Sequence, residues 1–544
     1  MATTGQVRSK AAPRPSAAAL RLVGQRRGPG AAFRHLGPSF AALAALAIPG
    51  TASAQKWSVD AGIRSQVTLS SNASLGGTGD IDGTGNGGRD VLLDVRPRIR
   101  LLAEGSRLKL SGSAALSAVT YADRSQPTRL HPDIDLASSL TAIERLLFLD
   151  ASLRVVQNSA NIFGARPEGG ATSENSVTTT QGRVAPRIEG QFDSLRRYRL
   201  FSENTWTRES GATTTVPGLS VGGYFGRHSM SFQQDPRPFG WRVEAARSES
   251  RYRNPVEAPL VIDLARLTLN YEVASDLVFG IHGGRERTNF ETGGSDGSLY
   301  GVQAQWTPSP RTSFSAFAEK RFFGTAWSMS FDYRAPQIAL KLLSSRGIET
   351  SLQSVLDVPG TGNVAALLDA IFTTRYPDPI ERAGIVNELI ARAGLPTDTL
   401  QPIVVRGQRL SMTTLSSASV TLLGVRNSLS LVAFQTRTED AVDGGQFSTA
   451  LAFTNNTQTG AAVAASHRLS PTVSLVGSAD WTRTRALGSA AGEKSTQSSV
   501  RLQLNAEVVS KMTVFAGARY RNFKTNTTTD GREAAVFVGV DRRF

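Results

Sequence analysis

The 544-residue chain contains no cysteine, which excludes disulfide frameworks, thiolate metal sites and thiol nucleophiles. It has five histidines. The four beyond residue 54, His131, His228, His282 and His467, stand singly and without metal-ligand spacing, so neither a metal nor a cofactor is expected. Long apolar runs are missing as well. The run FAALAALAIP (Phe40 to Pro49) falls short of the ~20 residues that a membrane-spanning helix needs. With a mean hydropathy of −0.17, the chain is not a helical membrane protein. Acidic residues are the scarcer charge, 45 against 60 Lys and Arg, for a net +15. Taken whole, that excess suggests a nucleic-acid or anionic-surface partner.

The position of the charge changes that reading. Residues 1–39 carry Arg8, Lys10, Arg14, Arg21, Arg26, Arg27 and Arg34 and no acid. The apolar run follows, and then Ala52-Ser53-Ala54. A basic segment, a short apolar core and an A-x-A site make a secretory signal peptide over 1–54, with Sec-type export and cleavage near Ala54/Gln55. Arg26-Arg27 sits in surroundings that fit twin-arginine export poorly. Without this segment, 53 basic face 45 acidic residues, a net +8 spread over residues 55–544. A nucleic-acid binder, which clusters its charge, is therefore not expected.

From Trp57 onward the dominant period is two. Trp57, Val59, Ala61, Ile63, Val67 and Leu69 alternate with polar residues, and Val91, Leu93, Val95, Ile99 and Leu101 alternate with Asp94, Arg96, Arg98 and Arg100. Such alternation gives a strand one apolar and one polar face. About 22 segments of this kind (roughly 18–24) recur, many of about 9–13 residues, the length of tilted bilayer-spanning strands. The polar faces carry Arg197 and Arg199, Arg501 and Glu507, and Arg519 and Arg521, as a water-filled lumen would accept. These rows form either a basic ladder for anionic solutes or a mixed hydrated wall. The fold expected is all-β, an antiparallel transmembrane β-barrel over 55–544 in a bacterial outer membrane. Trp57, Tyr121, Trp206, Trp241, Trp306, Trp327, Trp481 and Tyr520 lie towards strand ends, where an aromatic girdle belongs. The chain closes on Phe544 with Val540, Val538 and Val536 in phase, a terminal strand resembling the signal read by the barrel assembly machinery. Arg542 departs from that pattern.

Residues 352–405 break the rhythm. Val364 to Arg375 has helical spacing, Pro377-Asp378-Pro379 interrupts it, and Glu381 to Gly394 resumes it. This insertion is a plug in the lumen, a cap on either face, or a passive elaboration. Residues 157–180 and 72–90 are polar loops without such a pattern. The stretch Gly76 to Gly88 lacks the Lys-Ser/Thr and helix of a phosphate loop and the tandem copies of a calcium repeat. His282 and His467 lie on strands, where a hydrolase of lipid or glycan would hold a Ser or Thr nucleophile. No flanking motif supports this, and the chain is not read as an enzyme.

The segment Asp296 to Ser351 carries Trp306-Thr307-Pro308-Ser309-Pro310-Arg311-Thr312 and Arg321-Phe322-Phe323-Gly324. These motifs resemble the W-x-P-S-x-R-T and R-x-F-G of the PEP-CTERM system-associated outer-membrane β-barrel family. Tyr376 to Pro396 and Leu422 to Leu431 fit the same family, and the likeness spans most of residues 55–544. It implies a protein that travels with exosortase-type sorting and exopolysaccharide assembly, without a defined enzymatic activity. Its partners would be outer-membrane lipid, the barrel assembly machinery and the polymer or its export machinery. A general diffusion porin remains the plainer alternative. The residues themselves put a tight turn at Pro308-Ser309-Pro310, since proline cannot donate to a ladder.

Overall fold

The computed structural model describes residues 56–544 except 74–87, 124–127, 167–174, 211–221, 254–258, 290–294, 351, 353–363, 374, 378–381, 383, 387, 391–399, 401, 404–409, 442–454, 489–490 and 527–529. The expected export signal, most of the glycine-rich stretch and parts of the insertion lie outside these residues.

Alternating segments become strands of 10 to 16 residues, each bonded to its sequence neighbours in one 22-stranded sheet. The sheet closes where β1 (Lys56–Ser70) pairs antiparallel with β22 (Gly531–Arg543), Ser65 facing Val540 and Leu69 facing Val536. Closure gives every strand two neighbours and so satisfies the backbone without an edge. The expected all-β barrel of about 22 strands is what forms. Residues 133–156 make two strands, β4 (Arg129–Ile143) and β5 (Leu147–Ser159), joined by a turn in which Arg145 has φ 62°.

The wall is inverted relative to a soluble protein. On β1, Val67 and Leu69 are 40% and 53% exposed, while Gln66 and Thr68 beside them are 8% and 3%. β22 repeats this, with Val536 and Val538 exposed and Ala535 and Phe537 buried. Apolar side chains thus cover the outside of a closed barrel, which is stable where the outside is lipid. Trp57, Trp241 and Trp306 project outward near one end, Trp206, Trp327 and Tyr520 nearer the other. Tyr121 is the exception among the girdle candidates. It lies five residues beyond the outward Leu116 on β3 (Leu108–Tyr121), hence on the opposite face, and is buried with Ala73, Leu92 and Val119.

The two ends differ. One has connections of two to four residues, from 105–107 to 510–511, together with Lys56 and Phe544. The other has the loops 71–89, 160–175, 211–222, 351–409 and 441–455. Barrels of the outer membrane put short turns on the periplasmic side and long loops outside.

Val536, Val538, Val540 and Phe544 share the outward face, and Phe544 is 63% exposed. Arg542 shares it too, at the short-turn end, with its guanidinium 5.6 Å from the Phe544 ring centre. There a long basic side chain can reach past the apolar belt. On the inner face of the closing strands, Phe515 of β21 (Met512–Thr525) faces Gly539, and Gly517 faces Phe537. A Cβ on Gly539 would lie 2.3 Å from the Phe515 ring and 2.4 Å from the Ser65 carbonyl oxygen, so glycine is needed at the seam.

The turn expected at Pro308-Ser309-Pro310 lies further on. Pro308 belongs to β12 (Ser295–Ser309), where a register shift between Trp306 and Ser309 accommodates its missing donor, and the turn is Pro310-Arg311. Phe322-Phe323 is itself the turn between β13 (Thr312–Arg321) and β14 (Gly324–Ala335), and Gly324 takes φ +115° there.

Candidate functional site

Two described segments between wall strands lie inside the barrel. The insertion leaves the wall after β15 (Ile338–Thr350) and rejoins it at β16 (Leu410–Leu423), both at the long-loop end. Its helix α1 (Val364–Phe372) is not found there. It packs on Ala339, the second residue of β15, and on Leu423, the last of β16, which puts it at the short-turn end. Ala339 lies on the face opposite the outward Leu342 and is 2% exposed, so the contact is made from within the lumen. The described helix of the insertion therefore sits inside the lumen at its far end.

The sequence explains this seat. Val364, Leu367, Leu368 and Ile371 recur at helical spacing and form one apolar stripe. In a polar lumen that stripe needs an apolar floor, and Val386 and Ile390 from a second helical segment (within 382–390) cover its other side. Burying each large aliphatic side chain contributes about 1.5–3 kcal/mol. α1 ends at Phe372, three residues before the expected Arg375. Beyond it Arg382 donates to Asp369 Oδ1 (2.7 Å) and to the carbonyls of Tyr376 (2.8 Å) and Pro377 (3.1 Å). On the way back, Gln458 of β18 (Asn456–Arg468) accepts from Ile403 N and donates to Ile403 O, both at 2.9 Å.

A second intrusion lies between β5 and β6 (Ser176–Gln191). Ile162 and Phe163 pack with Ala486 and touch Ile403 of the insertion, and Ala165 packs on Phe523. Arg521 donates to Arg166 O (2.6 Å), and Arg166 N donates to Gln497 Oε1 (3.0 Å). Burial brings the Arg166 guanidinium down to about 10 and Asp480 offsets part of this, so it stays cationic at neutral pH. The polar loop expected over 157–180 is shorter, 160–175, and its apolar residues are buried. Its signal was the apolar pair Ile162-Phe163 among polar neighbours.

Two buried ionic clusters line the wall. Arg519 donates to Glu533 Oε1 (2.8 Å), Ser70 Oγ donates to the same oxygen (2.8 Å), and Arg521 lies 3.6 Å from Oε2. Across the barrel, Arg266 donates to Glu319 (3.0 Å), Arg321 donates to Glu286 (2.9 Å), and His282 Nε2 sits 3.1 Å from Glu319. Nearer the short turns Arg98 holds Asp541 with two bonds (2.7 and 2.5 Å), and at mid-wall Arg96 pairs with Asp133. The arginine rows face inward as expected, and these members are matched by acids. Of the two readings left open, the mixed hydrated wall describes them.

The singled-out residues do not converge. Trp306 faces lipid at the short-turn end, where Ser309 Oγ accepts from Arg311 N (3.3 Å) and donates to Thr312 Oγ1 (3.2 Å). Arg321 and Gly324 stand at the opposite end of β13. Of the two histidines weighed for catalysis, His282 stacks on Phe317 (5.1 Å) inside the barrel. His467 instead points outward and bonds Asn427 Oδ1 (2.5 Å). The histidine with a hydroxyl partner is His228, whose Nδ1 is 2.9 Å from Ser202 Oγ on the outer wall. Sequence reasoning passed it over, although it is in phase with the outward Met230.

No family profile matches the chain, and no curated protein matches it. Among solved structures it is similar to the FrpB iron transporter of Neisseria meningitidis (F3-3 variant), with 8% identity over 89% of this chain and 82% of that one, at a TM-score of 0.44. It is similar also to the siderophore receptor PirA of Pseudomonas aeruginosa, with 9% identity, coverage of 89% and 80%, and a TM-score of 0.40. A loop-deletion mutant of OmpT, an outer membrane protein of Vibrio cholerae, shares 9% identity over 90% and 100%, at a TM-score of 0.30. At such scores the likeness is one of general form, and function has to be read from the chain's own residues.

Proposed function

We propose that the protein is an outer-membrane conduit, stoppered by its own insertion, that supports exopolysaccharide export or surface assembly alongside an exosortase-type system. The observation that carries the conduit is the seat of α1, an apolar stopper inside a polar lumen at the short-turn end. A 22-strand wall lined with paired charges and amides suits a hydrophilic cargo such as a polysaccharide. The polymer itself is supported by the resemblance of Trp306 to Thr312 and Arg321 to Gly324 to the PEP-CTERM-associated barrels. Deleting residues 360–398 should raise single-channel conductance in planar bilayers and change the amount of exported polymer. If both stay at wild-type values, the stopper reading fails. A wild-type protein that already conducts steadily would be a diffusion porin instead.

A further inference from the structure

A polar stripe descends the outer wall. Cross-strand register places Ser202 of β7 (Arg196–Ser210) opposite His228 of β8 (Gly223–Gln234), and His228 opposite Arg247 of β9 (Phe239–Tyr252). Arg247 faces Asp263 of β10 (Leu260–Ala274), Asp263 faces Arg287 of β11 (Leu277–Thr288), and Arg287 faces Asp296 of β12. All six share the outward face, in phase with the exposed Leu200, Met230, Val243, Leu267, Ile281 and Val302. Barrel strands tilt, so a cross-strand row climbs the wall. Asp296 and Arg287 stand within two residues of the long-loop end of their strands, whereas Ser202 and His228 lie well inside theirs.

Polar groups facing lipid are expensive and mark function by default. These border a groove of about 750 Å³ whose deeper end is lined by Leu147, Pro186, Ile188, Leu200 and Met230. The upper end carries three arginines, Arg247, Arg285 and Arg287, against Asp263 and Asp296. Arg247 lies 3.5 Å from Asp263 and Arg285 lies 3.8 Å from Asp296, contacts long enough to yield to a better acceptor. Arg287 is exposed and makes no ion pair among the described residues. Beside the groove, Asn204 Nδ2 donates to Ser202 Oγ (3.1 Å), and Tyr224 OH donates to Asn204 Oδ1 (2.9 Å).

We infer that this groove binds one anionic phosphorylated lipid of the outer leaflet. The headgroup phosphate is taken by Arg285 and Arg287, and an acyl chain descends the groove past His228 and Ser202 to Leu200 and Ile188. Charge complementarity selects this occupant, since the rim carries one arginine more than it has acids and the floor is apolar. The inference rests on the outer-membrane placement and is independent of the conduit reading. It is tested by native mass spectrometry of the full chain in detergent, titrated with phosphatidylglycerol or phosphatidylcholine. Wild type should retain a single phosphatidylglycerol at concentrations where phosphatidylcholine is lost. The double substitution Arg285→Ala/Arg287→Ala should weaken retention at least about tenfold. Arg532→Ala, an outward arginine elsewhere at the long-loop end, should leave it unchanged, and heat-modifiable mobility establishes that each variant is folded. Equal retention by wild type and the double variant, or equal retention of the two lipids, would overturn the proposal.

Discussion

The two described segments that enter the lumen are held differently. α1 is fixed by apolar packing, with Val364 and Leu368 wholly buried against an alanine and a leucine of the wall. The loop after β5 adds polar clamps to the packing of Ile162, Phe163 and Ala165, from Arg521 to a carbonyl and from an amide to Gln497. In a hydrated lumen these differ in kind. Water competes for every polar clamp, so each contributes only a net ~0.5–3 kcal/mol. An apolar seat has no such competitor and releases as a unit. The helix is built as a stopper and the loop as a brace.

The contrast breaks most sharply at Leu368. Leu368→Asp puts a carboxylate into an apolar cluster with no partner, which outweighs the packing that holds α1. Conductance should rise to the level of the 360–398 deletion while the barrel keeps its heat-modifiable mobility. Unchanged conductance would mean that α1 seals nothing. Leu368→Ala is the graded version, loosening the seat by about 2–5 kcal/mol.

Arg521→Ala should come next. It frees the loop and leaves Glu533, whose side chain is fully buried, with Arg519 and Ser70 alone, a loss of about 3 kcal/mol at the lower end for broken buried pairs. Denaturant unfolding should register it, and limited proteolysis should cut within 160–175. Adding Glu533→Gln should cost further stability, because it takes the carboxylate away from the buried Arg519. If proteolysis is unaffected, the clamp does not hold the loop.

Gln458→Leu removes both bonds to Ile403 and should cost about 1–3 kcal/mol, seen as faster amide exchange at residue 403 with no change in conductance. A conductance change would make the return limb part of the seal.

The smallest effect belongs to a turn outside the lumen. The backbone N–H groups of Leu195 and Arg196 hold the Asp193 carboxyl below its usual range. A depressed acid adds stability above its unfolded pKa and loses it as pH falls through the lower folded value. The wild-type turn should therefore loosen on acidification and the Asp193→Asn turn should not, as backbone chemical shifts at residues 195 and 196 would register. A parallel acid response in both proteins would dismiss the contact.

Much of the wall was legible in the sequence because alternation acts locally. Val67, Leu69, Val536 and Val538 announce their face by phase alone. The helix of the insertion was legible for the same reason, through the spacing of Val364, Leu367, Leu368 and Ile371. Where it sits was not, since its partners Ala339 and Leu423 are small or ordinary wall residues whose role depends on closure. The pairing of Arg519 with Glu533 was also hidden, because cross-strand register decides which charges meet. Pro308 was misplaced for a related reason. A proline in a strand is tolerated where a register shift removes the need for its donor, and no neighbouring residue signals that shift. Tyr121 shows the limit of reading aromatics by strand-end position without counting phase.

The absence of cysteine makes the central claim directly testable. Ala339→Cys and Leu368→Cys, combined in one chain, place single thiols on the wall and on the stopper. A short bis-maleimide should join them in the folded, membrane-inserted protein and retain a linked 339–368 fragment after proteolysis. Reaction at each thiol singly, with no 339–368 link, would contradict the claim and put the insertion outside the lumen as a cap.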